Sequence, residues 1–180
     1  MTDSESHKEI WTIGHSTHPL KEFVEMLQSA AIEVVVDIRS LPGSNKFPQF
    51  NKEALEKSLS ENGIEYLHLE NLGGRRKTKP DSKNMIWRNK SFRGYADYME
   101  TAQFKEGLKK LQSLALEKHT AMMCSEAVWW RCHRSMVSDE LKAQDWKVWH
   151  IMGVDKVTEH PYTQPAKIVN GELSYHTDTE

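Results

Sequence analysis

Two cysteines in 180 residues are too few to staple a secreted fold, so Cys124 and Cys132 read as reduced thiols, ligands or reactive groups. Long apolar runs are missing as well. The stretch Val34-Val35-Val36 falls far short of the roughly 20 residues that cross a bilayer, and Met1 to Lys8 is polar, without the apolar stretch of a signal peptide. A cytoplasmic protein with no membrane partner is expected. With 9 glycines and 6 prolines, the chain is neither fibrous nor low in complexity. No repeat or linker divides it, and its length suits one sizeable core.

What is present is unevenly charged. The net charge is −2, yet the window from Gly73 to Tyr95, GGRRKTKPDSKNMIWRNKSFRGY, sets Arg75, Arg76, Lys77, Lys79, Lys83, Arg88, Lys90 and Arg93 against the single acid Asp81. That window carries +7 and leaves −9 for the rest, an asymmetry that points to an anionic partner. Trp87, Phe92 and Tyr95 are interleaved with the cations, as stacking on bases would need, and Trp129 with Trp130 would supply a second stacking wall. The bland alternative is a solvated loop anchored by its aromatics.

Apolar spacing predicts strands alternating with helices. Ile10 to Ile13 is a strand that ends at Gly14-His15-Ser16. Leu20, Phe23, Val24 and Leu27 form one helical stripe, with Pro19 in its first turn after a Thr17 or His18 cap. Glu33 to Arg39 is a strand buried on both faces, hence parallel. Asn51 caps a second helix, with Phe50 stapled against Leu55. Ile64 to Leu69 is a third strand, followed by the basic window as a long connection. Helical spacing resumes from Tyr95 with Phe104, Leu108, Leu111 and Ala115. Thr120 to Cys124 is a fourth strand, Ser135 to Gln144 a helix, Lys147 to Met152 a fifth strand, and Asn170-Gly171 turns a C-terminal hairpin.

This pattern predicts a single doubly wound α/β domain with a mainly parallel five-stranded sheet and a small C-terminal hairpin. The expected organisation is a disordered tail over 1–9, the domain over 10–152 with a basic insertion at 73–95, and a tail or hairpin over 153–180. In a 3-2-1-4-5 strand order the crevice lies between the first and fourth strands, where Gly14-His15-Ser16 would meet Cys124-Ser125-Glu126, with Asp37 and Arg39 close by.

A series of short motifs carries a resemblance: Thr12-Ile13-Gly14-His15-Ser16, Asp37-Ile38-Arg39 with Pro42 and Ser44, Leu72-Gly73-Gly74, Phe92 to Met99 (FRGYADYM), Met123-Cys124-Ser125-Glu126 and Cys132-His133-Arg134. In that order they resemble the bacterial domain of unknown function 488 family, over Thr12 to Ile151. The resemblance implies an α/β fold and marks candidate residues; it implies no activity.

The chemistry-bearing residues fall at strand ends. Cys124 stands where helix-terminal amides can lower a thiol pKa, as in phosphatases and rhodaneses. A cysteine phosphatase needs Cys-x5-Arg, however, and Arg131 makes Cys-x6-Arg with no glycine between. The alternative for Cys124 is a small buried hydrophobe. Glu126 and Asp37 are acid/base candidates or arginine partners, with Asp37 pairing to Arg93 or Arg134 in the structural reading. His133 joins the catalytic candidates. His15 and Ser16 open a helix and, with Arg39, Ser40, Arg93, Tyr95 and Arg134, form the anion-binding set, Arg134 as a bidentate clamp. Arg75, Arg76, Lys77, Trp87 and Arg88 are the nucleic-acid candidates.

A lone Gly14, without G-x-G-x-x-G or a P-loop lysine, indicates no dinucleotide, and no cofactor is expected. Cys124, Cys132, His133 and His15 could supply four zinc donors, but Cys-x7-Cys-His lacks the Cys-x2-Cys knuckle, so no metal site is expected. The leading expectation is an enzyme acting on a phosphate-bearing substrate, nucleic acid or nucleotide, in a cleft at the strand C-termini. A non-catalytic nucleic-acid-binding or adaptor module and a small-molecule or metal sensor are the alternatives.

Overall fold

The computed structural model describes residues 8–43 and 46–177. The expected N-terminal tail up to residue 7 and Ser44 lie outside the described residues. Five strands run parallel: β1 (Glu9–Gly14), β2 (Val34–Asp37), β3 (Glu65–His68), β4 (Thr120–Cys124) and β5 (Lys147–Gly153). A sixth, β6 (Lys156–Glu159), adds to β5 antiparallel. It was not expected from the sequence, because KVTE is exposed at every position and carries no apolar alternation.

The strand order is β3-β2-β4-β1-β5-β6, which corrects the 3-2-1-4-5 expectation. The connection from β1 to β2 passes over one strand position, and β4 fills it, in register with Trp11–Gly14 on one side and Val34–Asp37 on the other. Periodicity shows that these strands are buried on both faces, but it does not name their neighbours. The new order lines up the C-terminal ends of β2, β4 and β1, so Asp37, Cys124 and Gly14 end adjacent strands.

Alternation along each strand feeds two cores. On one face α1 (Leu20–Ser29) and α2 (Lys52–Glu61) bury Phe23, Leu27, Leu55 and Leu59 against Ile13, Val35, Ala121 and Met123. On the other, α3 (Lys90–Tyr98), α4 (Ala102–Glu117) and α5 (Arg134–Ala143) bury Tyr95, Phe104, Leu111 and Val137 against Ile10, Val36, Met122 and Val148. Pro19 takes the N-cap of α1, one place before the expected first turn. The helix α3 begins five residues before Tyr95, inside the basic window, because the Asn89 side chain accepts from the Ser91 and Phe92 amides at 2.8 and 3.2 Å.

The C-terminal hairpin forms as β7 (Lys167–Val169) and β8 (Glu172–Ser174). Asn170 and Gly171 both take positive φ, 54° and 81°, as a two-residue hairpin turn requires. Beyond β8, Tyr175 is buried against the Trp87 ring, 5.4 Å between centroids. Among the described residues no helix is long and apolar enough to cross a membrane.

Candidate functional site

The loops after β1 and β4 meet as the strand pairing demands. The His15 amide donates to the Cys124 carbonyl (3.0 Å) and the Ser16 amide to that of Ser125 (2.9 Å), so the Gly14-His15-Ser16 turn and the Cys124-Ser125-Glu126 turn lie side by side although the strand order differs from expectation. A side chain at position 14 would put its Cβ 1.6 Å from the Glu126 carbonyl oxygen. Only glycine admits that approach. Above these turns opens a cleft of about 710 Å³ whose lining includes His15, Ser16, Arg39, Ser40, Arg75, Phe92, Tyr95, Glu126, Arg131 and the cysteines with His133.

Asp37 does not face the cleft. It is fully buried and pairs with Arg39, two residues on, rather than with Arg93 or Arg134. Arg39 Nε and Nη2 donate to its two oxygens at 2.8 and 2.7 Å, and the Tyr66 hydroxyl donates to Oδ2. Burial first, then the Asp37 carboxylate, drives the Tyr66 pKa upward. Arg39 Nη1 donates to His15 Nε2 (3.3 Å), which leaves Nδ1 to donate to the Ser16 carbonyl (3.0 Å). The His15 ring stacks on Phe50 at 4.4 Å, and burial lowers its pKa to about 4. His15 is thus a neutral wall of the cleft at pH 7.

The two thiols lie on the cleft floor. Arg134, fully buried, is enclosed beneath them instead of standing exposed as a phosphate clamp: Nη1 donates to Cys124 Sγ (3.4 Å), Nη2 to the Ala127 carbonyl (3.3 Å), and its backbone N–H to Cys132 Sγ (3.5 Å). Its Nε has no partner among the described residues. Burial pushes the Cys124 thiol up. For Cys132 burial acts the same way, but the Cys124 thiol and then Arg134 outweigh it and hold the group below its ordinary value. His133 bridges Cys132 Sγ (Nδ1, 3.4 Å) and the Ile38 carbonyl (Nε2, 2.8 Å). Glu126 is exposed at the rim.

The first half of the basic window is a fixed loop, clamped by α3. A Cβ at Gly94 would come within 2.0 Å of the Arg76 carbonyl oxygen, so the loop crosses the helix there. Tyr95 and Tyr98 donate to the Leu72 and Asn71 carbonyls at 2.7 and 2.6 Å. Asp97 accepts from the Lys79 amide, Ser82 and Asn84 at 2.7–2.8 Å, and these bonds outweigh burial to keep its carboxyl below the usual range. Arg76 stacks on Tyr98 at 3.7 Å, and Arg93 Nε donates to the Trp87 carbonyl at 3.0 Å. Trp87 is buried between Phe92 and Tyr175 rather than presented for stacking on a base. Arg75, Lys77 and Arg88 are exposed.

The profile of the family described as Domain of unknown function DUF488 matches residues 19–141, more than half of the chain. The chain belongs to that family. No curated protein and no solved structure matches it.

In this DUF488 chain the motif FRGYADYM therefore encodes the loop clamp through Gly94, Tyr95, Asp97 and Tyr98, and Cys132-His133-Arg134 the cleft floor. No three His, Cys, Asp or Glu side chains converge to hold a metal among the described residues. Sequence reasoning missed a buried chain of donors behind the site. Thr12 Oγ1 meets His150 Nδ1 at 2.6 Å, His150 Nε2 meets His160 Nδ1 at 2.8 Å, and His160 Nε2 meets Asp139 Oδ1 at 2.8 Å. Neither Trp129 nor Trp130 lines the cleft, so the expected second stacking wall is not there; Trp129 instead stacks flat on His150 at 4.6 Å. Isolated histidines in a strand and a loop carry no spacing signal that would have joined them.

Proposed function

We propose that this protein is an enzyme acting on a phosphate-bearing substrate of nucleotide size, free or as a unit of a nucleic-acid strand, in the cleft at the strand C-termini. The carrying observation is the charge of the lining: Arg39, Arg75 and Arg131 against one carboxylate, Glu126, among the described residues of a 710 Å³ cavity. Such a volume is typical of small-ligand sites. Arg75 and Arg131, both exposed and both lining the cleft, would meet phosphate oxygens, while Arg39 is held in place by Asp37. Glu126 would serve as the acid or base. Lys77 and Arg88 are exposed outside the cleft lining, and contact with a longer strand would use them.

The test is fluorescence anisotropy with labelled single-stranded DNA and RNA at low and near-physiological salt, with nucleoside monophosphates as competitors. Neutralising about four phosphates of a single strand would give a log–log salt slope near −3. Arg75→Glu with Lys77→Glu would flatten it, and a competing monophosphate would map the site to the cleft. Absence of binding to strands and nucleotides alike at low salt would overturn the reading. The mutual engagement of Asp37 with Arg39 and the enclosure of Arg134 favour a second reading, a non-catalytic binding module. In that case Glu126→Gln would leave every function of the protein untouched.

A further inference from the structure

The cleft floor holds an arrangement that binding of phosphate does not require. The Ile38 carbonyl can only accept, so the 2.8 Å contact to His133 Nε2 places a proton on that nitrogen. Neutral His133 therefore turns the lone pair of Nδ1 toward Cys132 Sγ at 3.4 Å. A thiol beside a base that is itself oriented by a third group is the geometry of an activated nucleophile. Removal of the thiol proton would leave a thiolate facing the Arg134 backbone N–H at 3.5 Å, with the enclosed Arg134 guanidinium close by. That guanidinium reaches the second sulfur, Cys124 Sγ, at 3.4 Å. Both sulfurs line the same cavity, and each thiol perturbs the other's titration in opposite directions.

We infer that Cys132 and Cys124 form an oxidisable dithiol on the cleft floor, with Cys132 the attacking thiolate, His133 its base, Cys124 the resolving thiol and a small hydroperoxide the oxidant. This assignment stands apart from the proposed phosphate chemistry. It gives the nucleophile's role to Cys132, where position in the chain alone had suggested Cys124. Cys132 is 7% exposed, so the reagent has to be small.

In the first step His133 Nδ1 takes the Cys132 proton and the thiolate attacks the terminal peroxide oxygen. The O–O bond breaks, an S–O bond forms, and the leaving oxygen takes the proton back from His133, giving Cys132 sulfenic acid and water from hydrogen peroxide. In the second step Cys124 Sγ attacks the Cys132 sulfur, the S–O bond breaks, and the departing hydroxide takes the Cys124 proton. The balance is two thiols and one peroxide to one disulfide and two waters.

The experiment is titration of the reduced full-length protein with one equivalent of hydrogen peroxide, followed by mass spectrometry. The expected result is loss of two hydrogens and a disulfide that joins the tryptic peptide 119–131 to the peptide 132–134. In Cys124→Ser a sulfenic-acid trap such as dimedone should label Cys132. In Cys132→Ser, Cys124 should remain a thiol at the same dose. His133→Asn should slow Cys132 oxidation about tenfold or more at neutral pH. Because that variant also loses the bond to Ile38, a second measurement uses the unaltered protein. Cys132 alkylation by iodoacetamide should reach half its plateau rate below the free-thiol value of about 8.5. Labelling of Cys124 ahead of Cys132, oxidation of Cys132 without the joined peptide, or an alkylation midpoint at or above the free-thiol value would each overturn the inference.

Discussion

Arg39 reaches back two residues to grip both carboxylate oxygens of Asp37, at 2.8 and 2.7 Å, while its Nη2 also donates to the Phe50 carbonyl at 2.8 Å. The arginine thereby joins the end of β2 to the segment that enters α2, and both ionic partners are shielded from water. Arg39→Met would leave the Asp37 charge buried without compensation, a loss of about 3–5 kcal/mol. Urea denaturation would show it. Combined with Asp37→Asn, the loss should be clearly smaller than the sum of the two single changes, since the pair acts as a unit. Additive losses would mean the two side chains are not coupled.

Asp97 holds the basic loop by three hydrogen bonds. Asp97→Ala should free the loop locally by about 2 kcal/mol, roughly thirtyfold in the rate at which trypsin cuts after Lys77 and Lys83. The parent protein should resist cleavage there. Equal cutting of both proteins would show that the loop is held by its aromatic anchors alone.

Stability should fall as pH drops from about 6.5 toward 4. Burial, the leading cause in each case, lowers His15 to about 4 and His150 to about 2, whereas both take up protons near 6.5 once unfolded. In that window the unfolded chain binds more protons, so each histidine contributes stability above pH 6.5 that is lost at up to about 1.4 kcal/mol per pH unit below it. His133, also lowered by burial, adds in the same sense. Glu140, whose carboxyl burial raises, opposes them near the lower end. Chemical denaturation at half-unit pH steps should give this slope, and His15→Gln should reduce it. An unchanged slope in that variant would show that His15 titrates alike in both states.

Gly14→Ala should cost about 2 kcal/mol or more, because backbone of the β4 loop occupies the place of the new methyl group. Gly43 lines the same cleft, but a Cβ there meets nothing within 4 Å. Gly43→Ala should stay within about 0.5 kcal/mol. Thermal melts of the two variants side by side would test whether close approach, and not the cleft position, makes Gly14 indispensable.

Residues that report only on their own burial were legible in the sequence: Val34-Val35-Val36 and Thr120 to Cys124 form doubly buried strands, and Asn170-Gly171 forms the hairpin turn. Neighbour choice was not. Nothing in Val34 to Asp37 states that its partner is Thr120 to Met123, since parallel pairing is settled by the path of the crossovers. The same holds within the site. Asp37 had several arginines to choose from, and the choice of Arg39 depends on how the chain curls at Ile38. Tyr66, which completes that pair, lies in a strand where an aromatic residue needs no special reason. Sequence order did bring His15 and Cys124 together, because each ends a strand at the same edge. It could not show Cys132 and His133 as a pair reaching across to Ile38, for adjacency in the chain does not fix where two side chains point.

β1 lies inside the sheet between β4 and β5, and both of those neighbours come from the last third of the chain. A ribosome adds roughly 5–20 residues each second, so for several seconds the strand Glu9–Gly14 exists with neither edge covered. The α1, β2, α2 and β3 units can emerge and associate in that interval, but the slot beside β2 stays vacant until Thr120 onward is made. Protection of the uncovered strand should therefore matter until Thr120 onward is made, and the cleft, framed by the first strand and the fourth, cannot take shape before then.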